Sequence, residues 1–338
     1  MNVNYLNTAT FIGIDAHQEE HTACAISRFE EEKGTLQFKN SKKDINKFLK
    51  WISATQQSKD KVIIGIEGGG NARHALVSRL LDRHQHVYEV NPLFTKQRRA
   101  FGTKGDKSDI IDAKAIAQVL SRKVKQLPKL GQQQYSANRL CLRKTVWFYE
   151  KITFQGASLK TQLKQLEREK KLSLTVEERD ILKLIIRERK GELKRIQKLQ
   201  NQLKGKLSIF LEDQGKNLTS IKGIDTVLAA KIVAHANGIE RFSKVSSFIR
   251  YAGIAPLERS SGKTKRHTRN RKGNRKLNSA LYLVAVGQLK WNPKAKEYLD
   301  KKLKEGKTKK HAIRCLMKRI SCIIYGMLKS GEEYIDQN

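Results

Sequence analysis

Thr10-Phe11-Ile12-Gly13-Ile14-Asp15 is a short apolar run that ends in a carboxylate. Val62-Ile63-Ile64-Gly65-Ile66-Glu67 is a second, and it too ends in a carboxylate. Runs this short, bounded by turn residues, read as buried strands rather than amphipathic helices. Between them, His21 to Phe29 and Thr35 to Asn40 read as two more strands, split by the acidic turn Glu30-Glu31-Glu32-Lys33-Gly34. Ile45, Phe48, Leu49 and Ile52 have helical spacing. After Glu67, Gly68-Gly69-Gly70 breaks the strand and a helix follows through Leu76, Leu80 and Leu81. Val87-Tyr88-Glu89-Val90 is a further strand, closed by Asn91-Pro92. The order β-β-β-α-β-α-β-α predicts an α/β domain, a mixed sheet covered by helices, over residues 1–128.

Residues 129–212 change character. Leu159, Leu163 and Leu166, then Leu193, Ile196, Leu199, Leu203, Leu207 and Phe210, recur at steps of three and four among Lys, Arg, Gln and Glu. The break at Lys171-Leu172-Ser173-Leu174-Thr175 predicts two antiparallel helices, a helical spacer of coiled-coil type. So narrow an apolar stripe on so polar a helix calls for a partner, so the spacer is expected to oligomerise the chain. Residues 213–338 restart as a mainly α-helical domain. Leu218 to Asp225 followed by Val227, Leu228 and Ile232 has the outline of a helix-hairpin-helix, whose turn amides can hold backbone phosphate; an ordinary turn in a helical core fits that segment equally well. Helices are expected at Leu277 to Leu289 and Lys309 to Leu328.

The 338 residues carry 69 Lys+Arg against 33 Asp+Glu, a formal net charge of +36. An excess near one charge in ten residues bears on partners rather than on fold, and the partner it selects is a polyanion. No apolar stretch is long enough to span a membrane, and the N-terminus lacks the pattern of a signal peptide. Cys24, Cys141, Cys315 and Cys322 are scattered with no CxxC pair; this argues against a zinc or disulfide framework and suits a reducing, cytoplasmic compartment.

Asp15 and Glu67 would converge if their strands are neighbours in one sheet. Asp109 and Asp112 stand three apart at the start of a helix, with Ser108 as its N-cap, so both can point to one face. Taken singly, an Asp after a strand is a turn residue and an Asp at a helix start is a cap. Four carboxylates gathered in one place repel each other unless a divalent cation joins them, and hard oxygen ligands select Mg²⁺ or Mn²⁺ over zinc. His17 and His21, four apart, share no clear metal geometry and stay outside this ligand set.

Phe11-Ile-Gly-Ile-Asp15, Ile64-Gly-Ile-Glu67, Asn91-Pro92 and Lys107-Ser-Asp109-Ile-Ile-Asp112-Ala113 resemble the N-terminal domain of the DEDD transposases of the insertion sequence 110 family, the bridge recombinases. Ile221-Lys-Gly-Ile-Asp225, Phe248 to Pro256, Ser260-Ser-Gly262, Lys272-Gly-Asn274 and Tyr325 to Lys329 resemble their C-terminal transposase domain. Each motif is weak alone, and their joint order is specific. The resemblance implies an RNase H-like, RuvC-like fold for the first domain. It implies Asp15, Glu67, Asp109 and Asp112 as the catalytic, metal-binding acids. It also implies a serine nucleophile, matched best by Ser261, with Ser260 as the neighbouring alternative. The sequence departs from common members in having Gly68-Gly69-Gly70 where many carry Ala-Thr-Gly. It is also unusually basic after the serine.

The segment 259–276 holds Arg259, Lys263, Lys265, Arg266, Arg269, Arg271, Lys272, Arg275 and Lys276 and no acid, which points to phosphate contact rather than a solvated loop. The resemblance further implies donor and target DNA, a structured guide RNA and a homo-oligomer, dimer or tetramer, as partners in a bacterial cytoplasm near the nucleoid. Its chemistry is strand cleavage and rejoining through a phosphoserine. Two other readings compete: a RuvC-type metal nuclease that uses water, and a non-catalytic nucleic-acid binder.

Overall fold

The computed structural model describes residues 6–55, 61–67, 73–84, 86–99, 108–212, 215–261, 264–268, 270 and 273–335. The chain divides into two compact units, Met1–Ser136 and Ala137–Asn338.

The first unit is built on five strands, β1 (Thr10–Ala16), β2 (Glu20–Ile26), β3 (Glu32–Lys39), β4 (Val62–Glu67) and β5 (Val87–Glu89). Their order across the sheet is β3-β2-β1-β4-β5. β2 runs antiparallel to β1 and β3, while β4 and β5 run parallel to β1. The sequence-predicted α/β mixed sheet is therefore present, with β1 at its centre. The turn lies three residues earlier than the sequence suggested, over residues 27–31. β2 ends at Ile26, the turn is closed by Ser27 N donating to Glu31 O at 2.8 Å, and Phe29 is exposed on it. Glu32 to Gly34 already belong to β3, where a register shift at Ala25/Ile26 takes up the slack.

Helices α1 (Lys42–Thr55), α2 (His74–Arg83), α3 (Pro92–Arg99) and α4 (Asp109–Lys123) cover the sheet. One buried cluster gathers Ile12, Ile14, Ile64 and Ile66 with Phe48, Leu49, Leu76 and Leu80. The other gathers Phe11, Ile26 and Ile63 with Ile116, Ala117 and Leu120 of α4. Alternate residues of β1 thus feed opposite layers, which is why the whole run had to be apolar.

The second unit starts with a helical hairpin, α5 (Ala137–Leu172) and α6 (Val176–Leu211), joined by Ser173-Leu174-Thr175. Thr175 caps α6 by accepting from the Glu178 amide at 3.1 Å. Leu142, Val146, Leu207 and Leu211 at the open end of the hairpin sink into the core of α7 (Thr226–Ala236), α8 (Val245–Tyr251), α9 (Arg275–Trp291) and α11 (Lys309–Ser330). Between α9 and α11 lies α10 (Pro293–Lys304), which the periodicity did not reveal; Asn292 caps it, accepting from Ala295 N at 3.3 Å, and Pro293 opens it. Ahead of the turn Ile221–Asp225 stands a 3-10 turn, Lys216–Ser220, so the element before that turn is not an α-helix. The basic segment is a two-stranded antiparallel hairpin, β6 (Leu257–Ser261) and β7 (Thr264–Thr268), rather than a plain loop.

Candidate active site

In the parallel pair of β1 and β4, Gly13 stands opposite Gly65 and Asp15 opposite Glu67. Both carboxylates therefore leave the sheet at the same level, at the C-terminal ends of its two central strands, where binding residues of open α/β sheets gather. α4 brings the other two. Ser108 accepts from the Ile111 amide at 3.3 Å and fixes the first turn, which carries Asp109 and Asp112. The N-terminal end of that helix favours negative charge.

What lets α4 approach is Gly13. A Cβ there would lie inside the contact radii of the Ala113 carbonyl and the Ala117 amide of α4, both of them backbone. The helix crosses the strand on bare main chain, two residues before Asp15.

The Asp15 side chain is 13% exposed. Burial raises its pKa above the ordinary 3.8; the neighbouring His17 acts the other way, and the charges of Asp112 and Asp109 add to the rise. His17 Nε2 lies 3.1 Å from Asp15 Oδ2 and 3.9 Å from Asp109 Oδ1. Ligand atoms of Asp15, His17 and Asp109 all fall within 4.8 Å of one another. Asp15 and Asp109, two of the expected acids, thus share a cluster, Asp112 is near enough to act on Asp15, and Glu67 is placed by strand register.

The structure places His17, which the sequence reading left outside the ligand set, beside these acids. Two residues beyond Asp15, it falls on the same side of the extended chain, a period-2 signal that was available in the sequence. His21 is a different case. It is fully buried in β2 beside Phe38, with ring centroids 5.2 Å apart, and burial lowers its pKa. The donor set of carboxylates plus one imidazole suits a divalent cation.

In the second unit, Ser261 pairs with Thr264, Ser260 with Lys265 and Arg259 with Arg266 in the register of the hairpin. Lys263, Arg269, Arg271 and Lys272 lie outside the described residues. The feet of the hairpin are tied together. A Cβ on Gly273 would collide with the backbone of Gly253, so the two glycines meet main chain to main chain. Asn274 N donates to Tyr251 O at 2.7 Å, Asn270 Nδ2 to Arg250 O at 3.2 Å and Asn278 Nδ2 to Ala252 O at 2.8 Å. Asn274 also caps α9, accepting from Lys276 N at 3.1 Å and Leu277 N at 3.0 Å, while its Nδ2 donates to His235 O at 3.2 Å. Lys276 is held by Glu150 at 2.6 Å, and His235 approaches the other oxygen of Glu150 at 3.1 Å. Sequence reading missed Glu150, because its partners lie 85 and 126 residues away.

An α/β unit that converges acids on the ends of central strands, in one chain with a strongly cationic helical unit, defines the class of metal-dependent nucleic-acid-processing proteins. Residues 12–170 match the transposase family of the DEDD, IS110 type, and residues 215–300 match the family of IS116/IS110/IS902 transposases. The chain belongs to the IS110 family of transposases. An IS110 insertion-element protein of 43.6 kDa from Streptomyces coelicolor is 31% identical over 119 residues, 35% of this chain and 29% of that one. A 42 kDa protein of insertion element IS900 from Mycobacterium paratuberculosis is 29% identical over 119 residues, 35% of this chain and 30% of that one. The alignments thus span about three-tenths of the insertion-element relatives. The pilin gene-inverting protein of Moraxella bovis is 26% identical over 339 residues, 96% of this chain and 97% of that protein.

Proposed function

We propose that this chain cuts and rejoins DNA as the transposase of an insertion sequence. The observation that carries the reading is the register of Asp15 against Glu67, with the first turn of α4 laid beside them. The likeness along almost its whole length to a gene-inverting protein supports strand exchange rather than cleavage alone.

Asp15, Glu67, Asp109 and Asp112, with His17, would hold a divalent cation, which when bound polarises a phosphate oxygen and neutralises developing charge. The nucleophile is the Ser261 hydroxyl. Its Oγ forms a bond to phosphorus while the bond from phosphorus to one deoxyribose oxygen breaks. The serine proton leaves to a base, and the departing sugar oxygen ends as a hydroxyl. The phosphoserine keeps the bond energy until another strand's hydroxyl reverses the step. The cations of residues 259–276, Arg275 among them, position the backbone. A mainly RNase H-like first domain, a structured guide RNA and a homo-oligomer in the cytoplasm complete the reading. The exposed apolar residues Leu172, Leu174, Val176, Ile181 and Leu184 around the hairpin tip support self-association.

The test is a Ser261→Ala variant on a DNA carrying the element's ends. We expect the covalent protein–DNA adduct to vanish while binding persists. An adduct that survives in Ser261→Ala and disappears in Ser260→Ala moves the nucleophile by one residue. Full cleavage by the double variant overturns serine chemistry in favour of water.

A further inference from the structure

Two cavities of the second unit meet at Arg275 and Ser279, and we propose that together they form one track for single-stranded DNA. The proposal rests on the DNA-processing reading above and names a surface for that substrate.

The first cavity, about 780 Å³, lies at the feet of the β6–β7 hairpin, walled by Gly253 and Gly273. α9 contributes Arg275, Ser279 and Tyr282, and α11 contributes Lys310 and Arg314. These positions are one and two helical turns apart, so each helix presents one face to the cavity. None of the described residues that line it is acidic. The second cavity, about 660 Å³, is bounded by Trp147, Lys151 and Phe154 of α5 and by Lys231 of α7, and it shares Arg275 and Ser279 with the first. Glu150, the acid among its described lining residues, is already engaged by His235 and Lys276.

Aromatic rings and cations alternate along this path. Phe154 is 78% exposed, Trp147 56% and Tyr282 45%. Lys151 Nζ stands 5.5 Å from the centre of the Trp147 ring. Large rings left in water beside ammonium groups are costly for a free surface, and they suit unpaired bases that stack while their phosphates meet the cations. A duplex hides its base faces and offers only the charge. A second copy of this chain would bring another +36 against the same cations, so like charge disfavours it here. The track ends at the hairpin that carries Ser261, which selects the DNA strand being cut over an RNA.

The experiment uses the full chain with Trp51→Phe and Trp291→Phe, so that Trp147 alone emits. Oligo(dT), oligo(U) and a DNA duplex of equal length are titrated in. We expect oligo(dT) to quench Trp147 and the duplex to leave it bright. Phe154→Ala or Tyr282→Ala should weaken oligo(dT) about tenfold, the value of one stacked base. Arg314→Ala should lower the log–log salt slope by about one. Equal quenching by the duplex, or none by oligo(dT), overturns the track. Quenching by oligo(U) alone makes it an RNA surface and overturns the choice of DNA. Concentration-dependent quenching without nucleic acid, with a sedimentation shift that Phe154→Ala abolishes, makes it a contact between copies. If the double substitution unfolds either unit, photo-crosslinking of iodouracil-substituted oligo(dT) to the unaltered chain decides. Adducts mapped to the Trp147–Phe154 peptide support the track, and adducts mapped only elsewhere overturn it. Loss of the Ser261 adduct is scored separately, so failure of the track leaves the strand-exchange reading intact.

Discussion

A single methyl group on Gly13 separates a strand that α4 can cross from one that it cannot. The atoms it would meet are backbone atoms of Ala113 and Ala117, which have no rotamer to yield. Gly65, opposite in register, differs: its Cβ would meet Val90 Cγ2 at 3.0 Å and Leu120 Cδ2 at 3.1 Å, side-chain ends that can shift. Gly13→Ala should therefore cost about 3 kcal/mol, at the upper end of overpacking, and lower the melting temperature of the first unit by roughly 10 °C. Gly65→Ala should cost under about half as much. Calorimetry of the two variants checks the contrast, and equal melting points would show that α4 adjusts freely. The sequence made both strands legible through their apolar runs, but it held no sign of why each has a glycine in the middle. That reason lies in a helix about a hundred residues further on, where Ala113 and Ala117 are the small residues of the crossing.

At the scale of elements, the Glu150, His235 and Lys276 contacts join α5, α7 and α9 just below the serine hairpin. Burial works against charge on Glu150, yet the hydrogen bonds from His235 and Lys276 outweigh it and draw its pKa from 4.5 to about 2. The sign follows from the depression. A carboxylate with a lower pKa in the folded state adds stability above its unfolded pKa, and that stability is lost as pH falls towards the folded value. Glu150→Gln should melt below the parent chain near neutral pH. The gap should narrow as pH drops from 4.5 towards 2. Melting curves of both proteins across that range are the measurement, and a gap independent of pH would mean that charge on Glu150 contributes nothing. This network was illegible for a plain reason. Periodicity and caps are local signals, and they found the long helices and the Ser108 cap, whereas an ion pair between residues 126 apart leaves no pattern along the chain. His17 was the exception, a local signal overlooked: it needed only the two-residue period of an extended chain.

Across the whole molecule, charge is the property that sequence states best, and its placement is what only the fold supplies. The excess is not evenly compensated. Lys301 and Lys304 of α10 border a cavity that Glu297, Asp300 and Glu305 also line, so their fields partly cancel. Arg275, Lys310 and Arg314 border one whose described lining residues include no acid. Counterion release counts the phosphates that cations actually neutralise. With about six such contacts, affinity for DNA should fall roughly a thousandfold between about 50 and 200 mM salt. Substitutions in the two patches should then separate. Arg275→Ala with Arg314→Ala should flatten the log–log slope by nearly two, since each removes about one phosphate contact. Lys301→Ala with Lys304→Ala should change it by well under one, because the acids beside them already oppose an approaching phosphate. Fluorescence anisotropy against salt for the parent chain and both double variants measures this. Equal changes in slope would mean that the +36 acts as a diffuse coat, and that the cation-lined cavities hold no strand.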